Sequence, residues 1–452
     1  MARIKTRGLL VIISIVSTYF MLTINYDPDF RLTFLMPVTY GFIVAFLCKN
    51  DNLLQGLGGS ALVFFYCFRM CLLPVICAIG DFYMEPYKSD YIAYYNNGIL
   101  LNCIECLIVF LSLRYFTRIF NNRRHLVVTQ SLSYNNHHIL TRFVFFLTVV
   151  VVLLQFGLGV HYYSPITNQA EDIVDEVLGD ASHGAYWYIT DILSTWWRPL
   201  ITILLIYFVQ TKRIPHPQFW IVLIAALNIF FMSDRRIYAL LVGGYALYYA
   251  MSISRSKITK RLIAFMLLGG GGVTLFFGFY GAASTADLEI VSRTFQHYFS
   301  GPTLNALALR TLDAVGVKPL EFMYLLLNDF QSFTALFGRI EMPNYYDSFF
   351  GMSFGLWVPM TVGALRYFGF FFPLVLIFFV YYIKKCDYDA SISSYSLYSM
   401  IYYYIGVCIA CYMVMYTVEL IFYFILTTGI LYRALIYFDK RNCCHFYNRK
   451  NI

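Results

Sequence analysis

The chain has 452 residues, 60% of them hydrophobic and only 13% charged, with a formal net charge of +8 and a mean hydropathy of +0.63. A soluble domain carries about a quarter charged residues, so this composition excludes an ordinary water-soluble fold. Repeated apolar runs of about 18 or more residues specify an all-α, polytopic integral membrane protein, with a lipid bilayer as its first partner. The positive balance does not indicate nucleic acid, because the basic residues are scattered over short loops, where membrane topology accounts for them.

The chain opens on Arg3, Lys5 and Arg7 ahead of the apolar run 8–23. No small-x-small cleavage pattern follows, so this stretch is expected to be a retained first helix with its N-terminus inside. The spans are expected at 8–25, 32–48, 53–80, 91–114, 143–160, 189–210, 218–233, 237–253, 262–283, 367–383, 397–415 and 417–438. That makes about twelve transmembrane helices and places both termini inside. Arg69 and Pro74 within 53–80 predict a tilted or broken helix there. The whole of 1–452 reads as one transmembrane domain, with 284–366 as a large extracytoplasmic loop inside it.

Aromatic residues make up 19% of the chain, with 40 Tyr and 43 Phe. Lipid-facing Phe explains most of them, with Tyr-rich walls for sugar rings as the sharper reading. The pairs Cys103-x-x-Cys106 and Cys408-x-x-Cys411 lie inside apolar spans, where small packing residues are expected. Cys443-Cys444-His445 is too short a cluster for a zinc site, and no metal cage or cofactor motif is expected elsewhere.

The predicted inner loops hold most of the 33 lysines and arginines, as the positive-inside rule requires. The remainder are Arg31, Arg69, Lys88, Arg198, Arg235, Arg236, Arg293, Arg310, Lys318, Arg339 and Arg366. Nearly all of these are arginine, the residue whose planar fork grips phosphate and stays charged when partly dehydrated. Ion pairing with outer carboxylates, such as Glu171, Asp172 and Asp175, accounts for any one of them. The set as a whole points to an anionic ligand on the outer face.

Three constellations could carry chemistry. Ser233-Asp234-Arg235-Arg236 sits at the predicted outer junction of two apolar helices and opens the second. Basic side chains at a helix start oppose the dipole unless an anion joins them there. The alternative is a snorkelling pair with Asp234 as the cap. Trp196-Trp197-Arg198-Pro199 puts an arginine inside a span, which is a functional position by default. The 284–366 stretch holds Arg293 to His297-Tyr298-Phe-Ser300-Gly301-Pro302, and later Gly355-Leu-Trp-Val-Pro359-Met-Thr361-Val-Gly363. Both are punctuated by Gly and Pro, as backbone approaching a ligand closely would be. The apolar pieces Leu304–Leu309 and Phe322–Leu327 are expected as short helices lying on the outer membrane surface.

With the Arg pair at 235–236, the Tyr298-x-Ser300-Gly301 turn and the Gly355…Pro359-x-Thr361-x-Gly363…Gly369 stretch ahead of the closing helices, the layout resembles the bacterial O-antigen or oligosaccharide repeat-unit polymerases (the Wzy type). The resemblance implies a fold similar to the lipid-dependent (GT-C-like) glycosyltransferases and a site in the bacterial inner membrane. It further implies joining of undecaprenyl-pyrophosphate-linked oligosaccharide repeat units into O-antigen or capsular polysaccharide, with a chain-length regulator protein as partner. Pyrophosphate is a good leaving group, so the site must chiefly stabilise the departing anion. The expected glycan- and pyrophosphate-binding residues are Arg198, Arg235, Arg236, Arg293, Arg310, Arg339 and Tyr298. The base for the acceptor hydroxyl is expected among His297, Glu341 and Asp347. A lipid-linked oligosaccharide flippase or other transporter is the alternative of a different class. An O-antigen ligase or membrane acyltransferase would keep the layout and change the acceptor.

Overall fold

The structure is a computed structural model that describes residues 2–24, 28–47, 56–79, 88–124, 138–157, 197, 199–204, 207, 292, 295–296, 299–320, 322–323, 358–393, 396–415 and 417–438. Every regular element among the described residues is helical. In chain order these are α1 (Ala2–Thr23), a 3-10 turn Pro28–Phe34 leading into α2 (Leu35–Leu47), α3 (Leu57–Cys67), a π turn Phe68–Leu72, and α4 (Leu73–Ile79). Next come α5 (Lys88–Arg124), α6 (His138–Gly157), α7 (Pro302–Val315) and α8 (Met360–Phe368). A 3-10 turn at Gly369–Phe371 precedes α9 (Phe372–Ile392), followed by α10 (Ser396–Met415) and α11 (Val418–Phe424).

Six helical segments are long and apolar enough to cross a bilayer: Pro28–Leu47, Leu57–Ile79, Tyr91–Asn122, Met360–Ile392, Leu397–Met415 and Val418–Phe438. They coincide with the expected spans at 32–48, 53–80, 91–114, 367–383, 397–415 and 417–438. The chain is therefore all-α and consistent with a multi-pass membrane protein. The expected spans at 218–233, 237–253 and 262–283 lie outside the described residues. α5 runs ten residues past the expected boundary at 114, carrying Arg114, Arg118, Arg123 and Arg124 out on one continuous helix.

α5 is the axis of the bundle. It packs against α2, α7 and α9, while α10 closes on α3 and α9. The α5–α7 contact is close because Gly98 faces α7: a Cβ there would lie 3.1 Å from Pro302 O and 3.2 Å from Ala306 N. Small residues at a crossing are what let two membrane helices approach this far. Between the helices lies a continuous core, to which Tyr40, Tyr66, Phe110, Leu307 and Phe379 contribute wholly buried side chains. Phe42, Phe46 and Leu153 are largely exposed, as expected of lipid-facing positions.

α7 and α8 are short, and both are delimited in the same way. Each has proline at its start, Pro302 at the first turn of α7 and Pro359 as the cap of α8, and each ends on a left-handed glycine, Gly316 (φ 78°) and Gly369 (φ 53°). Proline suits the first turn, whose amides have no partner, and glycine alone adopts the terminating conformation without strain. The expected helix at 304–309 forms, but it does not lie on a surface. Thr303, Leu304, Asn305, Ala306, Leu307 and Ala308 are all wholly buried, so the first half of α7 is enclosed by protein on every side. Its start lies beside Asn102, near the midpoint of the Tyr91–Asn122 span, and its end reaches Tyr94, whose hydroxyl donates to Asp313 (2.6 Å). α7 thus descends antiparallel to α5 only half-way through the bundle. α8 begins at the same depth and returns toward the same end, where the Lys318 amide donates to the Arg366 carbonyl (2.9 Å). The 284–366 stretch therefore ends in helix, with Arg366 buried on α8.

Candidate functional site

The two half-helices converge on a buried polar centre built around Arg69. Pro74 has no amide hydrogen to offer the Met70 carbonyl, and the helix widens ahead of it. The Leu73 amide bonds back to Phe68, five residues away, which defines the π turn Phe68–Leu72. That turn carries Arg69 inward, and the residue is 1% exposed. The break expected from Arg69 and Pro74 is therefore a π turn within an otherwise continuous helix.

Each nitrogen of the Arg69 guanidinium has an acceptor. Nη1 bonds Glu105 Oε1 (2.7 Å), Nη2 bonds Asn102 Oδ1 (2.6 Å), and Nε bonds the Ser300 carbonyl (3.2 Å). Glu105, wholly buried, accepts the Tyr66 hydroxyl on Oε1 as well and the Thr361 hydroxyl on Oε2. Asn305, from the first turns of α7, donates to both Asn102 Oδ1 and the Ser300 carbonyl (2.9 Å each). Helices α3–α4, α5, α7 and α8 are thereby joined at one point.

The turn that delivers Ser300 has its own logic. Gly301 N donates to Gln296 O (2.9 Å), the six-to-one bond that ends a helix on a left-handed residue. Ser300 holds that position with φ 48°, the only positive φ outside glycine among the described residues. Gln296 Oε1 then accepts the Thr303 amide (3.3 Å) and caps the start of α7. A non-glycine residue in this conformation persists only where its surroundings fix it, and here Arg69 and Asn305 both bond its carbonyl. Asn102 Nδ2, Asn305 Oδ1 and Thr303 Oγ1 are buried with no partner among the described residues.

With both Glu105 oxygens and all three Arg69 nitrogens engaged, this centre sets geometry. It pins the 299–302 turn and the start of α8 to the middle of the bundle. Among the described residues, no group of three or more His, Cys, Asp or Glu is placed to hold a metal ion. The cysteines of the two C-x-x-C pairs are free thiols, three of them buried and Cys103 partly so.

Of the residues expected to bind or react, Arg310 alone is described. It lies half-buried on α7, five residues beyond Asn305 toward the Tyr94 end. Arg198, Arg235, Arg236, Arg293, His297, Tyr298, Arg339, Glu341 and Asp347 lie outside the described residues. The structure adds Asn102, Glu105 and Asn305, which sequence reasoning did not place in a site, and it pairs Arg69, one of the set expected to face an anionic ligand, with the protein's own Glu105. The available signal was a pair of opposite charges, Arg69 and Glu105, each in the middle of an apolar run where an ionisable residue needs a partner. No family model matches the chain, and no curated protein and no solved structure matches it.

Proposed function

We propose that the chain is a membrane glycosyltransferase of the repeat-unit polymerase kind, with a GT-C-like fold of about twelve spans. It would move a growing glycan from undecaprenyl pyrophosphate onto a terminal hydroxyl of the next lipid-linked repeat unit, at the outer face of a bacterial inner membrane. One observation carries this reading beyond the resemblance. Two of the three features on which the resemblance rests, the turn that holds Ser300 and the stretch that holds Thr361, meet on one centre, Ser300 through its carbonyl to Arg69 and Thr361 through its hydroxyl to Glu105. Ser300 and Thr361, 61 positions apart in the chain, thus belong to one structural unit. Charge supports one orientation. Lys384, Lys385 and Arg433 gather at the end opposite Tyr94 and Asp313, which supports reading that end as the inner one under the positive-inside rule.

In this reading Arg235 and Arg236, with Arg198, Arg293, Arg310 and Arg339, neutralise the pyrophosphate as the bond to the sugar breaks. A transporter is the second reading, supported by the two half-helices that begin at mid-bundle, as broken helices do around midplane sites. Deletion of the gene separates the two. Loss of a polymerase leaves surface glycan of one repeat unit per lipid core on a gel, and loss of a flippase leaves none.

Within the polymerase reading, replacing Arg235 or Arg236 with Lys keeps charge and loses the bidentate fork. Glycan chain length, normalised to membrane protein, is expected to fall by about ten- to a hundredfold in activity, the equivalent of about 1.5–3 kcal/mol for a charge-assisted contact. Full-length glycan from both Lys variants would remove the clamp from this position and move it to Arg198, Arg310 and Arg339.

A further inference from the structure

Two carboxylates are buried among the described membrane-spanning helices toward the Tyr94 side, and their surroundings differ. Glu105 has both oxygens occupied and an arginine on one of them. Glu419, 5% exposed, accepts a single hydrogen bond, from the Tyr367 hydroxyl, and its Oε2 has no partner among the described residues. Buried carboxylates normally take several donors or a counter-charge, since an unsatisfied one is expensive to keep. Glu419 also sits at the corner between the last two spans. α10 ends at Met415, Thr417 caps α11 by accepting the Leu420 amide, and Glu419 is the second residue of the last span. Tyr367 ties it to α8, next to Arg366, whose carbonyl receives the Lys318 amide at the end of the bundle that holds Tyr94 and Asp313.

We propose that Glu419 is the general base of the transfer, an assignment that rests on the polymerase reading above. The acceptor sugar's O–H bond breaks and its proton passes to Glu419 Oε2. The oxygen forms its bond to the anomeric carbon of the donor, and the carbon–oxygen bond to pyrophosphate breaks, leaving the electron pair on the lipid pyrophosphate. Tyr367 fixes the carboxylate through Oε1 and leaves Oε2 for the incoming hydroxyl. Glu105 is not suited to this part, because Arg69 holds it as the anionic partner of a buried ion pair.

The test uses the purified full chain in nanodiscs and lipid-linked repeat units extracted from a strain lacking the gene. Glu419→Gln keeps the shape and the bond from Tyr367 but cannot accept a proton. It is expected to lower kcat by about a hundredfold or more, as loss of a general base does, with KM within about twofold of the parent. Parent activity with a variant kcat within threefold overturns the role of Glu419 and leaves the polymerase reading standing. A parent chain that joins no repeat units overturns both. Should Glu419→Gln fail to accumulate, Glu419→Asp keeps the charge and withdraws the oxygen by one carbon–carbon bond. A kcat at least tenfold lower at unchanged KM then supports the proposal, and an unchanged kcat overturns it.

Discussion

Arg69→Ala is expected to empty the membrane of folded protein, with Glu105→Gln doing so in smaller measure. The alanine removes three hydrogen bonds and leaves the Glu105 carboxylate buried with only the Tyr66 and Thr361 hydroxyls. Breaking one partner of a buried ion pair costs about 3–5 kcal/mol, a large part of the usual stability of a folded domain. Glutamine preserves the shape and can still accept from Arg69, but it leaves the guanidinium charge uncompensated. The double change Arg69→Met with Glu105→Met should recover much of the loss, since an apolar pair of similar volume often replaces a buried ion pair at little cost. Membrane abundance and thermal unfolding in detergent measure all three variants. Single variants that accumulate and melt like the parent would show that the pair does not hold the bundle centre. A double variant that folds but makes no glycan would give the centre a part in the reaction as well as in the fold.

The six spans that coincide with expected ones were legible because each is a long apolar run, and lipid imposes that pattern on any helix it surrounds. α7 was not legible as a buried element. Thr303, Asn305, Arg310, Thr311 and Asp313 make its composition that of a surface helix. A helix enclosed by other helices answers to Asn102 and Arg69 instead of to lipid or water, and no local pattern distinguishes those environments. The same limit hid the centre. Arg69 and Glu105 were visible one at a time as charges in apolar runs, but their pairing spans 36 residues and depends on how two helices dock. The Gly- and Pro-marked stretches at 298–302 and 355–363 were expected to bring backbone close to a ligand. What Ser300 and Thr361 approach in the structure is the protein's own Arg69 and Glu105. Glu419 escaped notice because it follows a tight turn between two spans, where a carboxylate reads as a cap.

Asp387→Ala is expected to detach the start of α3 from α9. In the parent, the Asp387 carboxylate accepts the Gly58 and Gly59 amides (2.9 Å each), standing in for the local cap that α3 lacks, and pairs with Lys384 (3.2 Å). All of these groups are buried beside the cleft lined by Thr117, Asn121 and Tyr388. Hydrogen bonds to a charged group contribute about 1.5–3 kcal/mol each, so losing the carboxylate removes several kcal/mol along with its ion pair to Lys384. Gly56→Ala should be equally damaging without touching the acid. Gly56 has φ 89°, and a Cβ there would lie 2.2 Å from the Asp387 carboxyl carbon, so the side chain would have to leave its amides. Asp387→Asn, which retains one acceptor oxygen, falls between these and the parent. Lys384→Gln is the mildest, because the two amides still hold the Asp387 charge. The order is read from unfolding temperatures in detergent. If Asp387→Ala melts with the parent while Lys384→Gln does not, the lysine rather than the amide pair fastens α3 to α9.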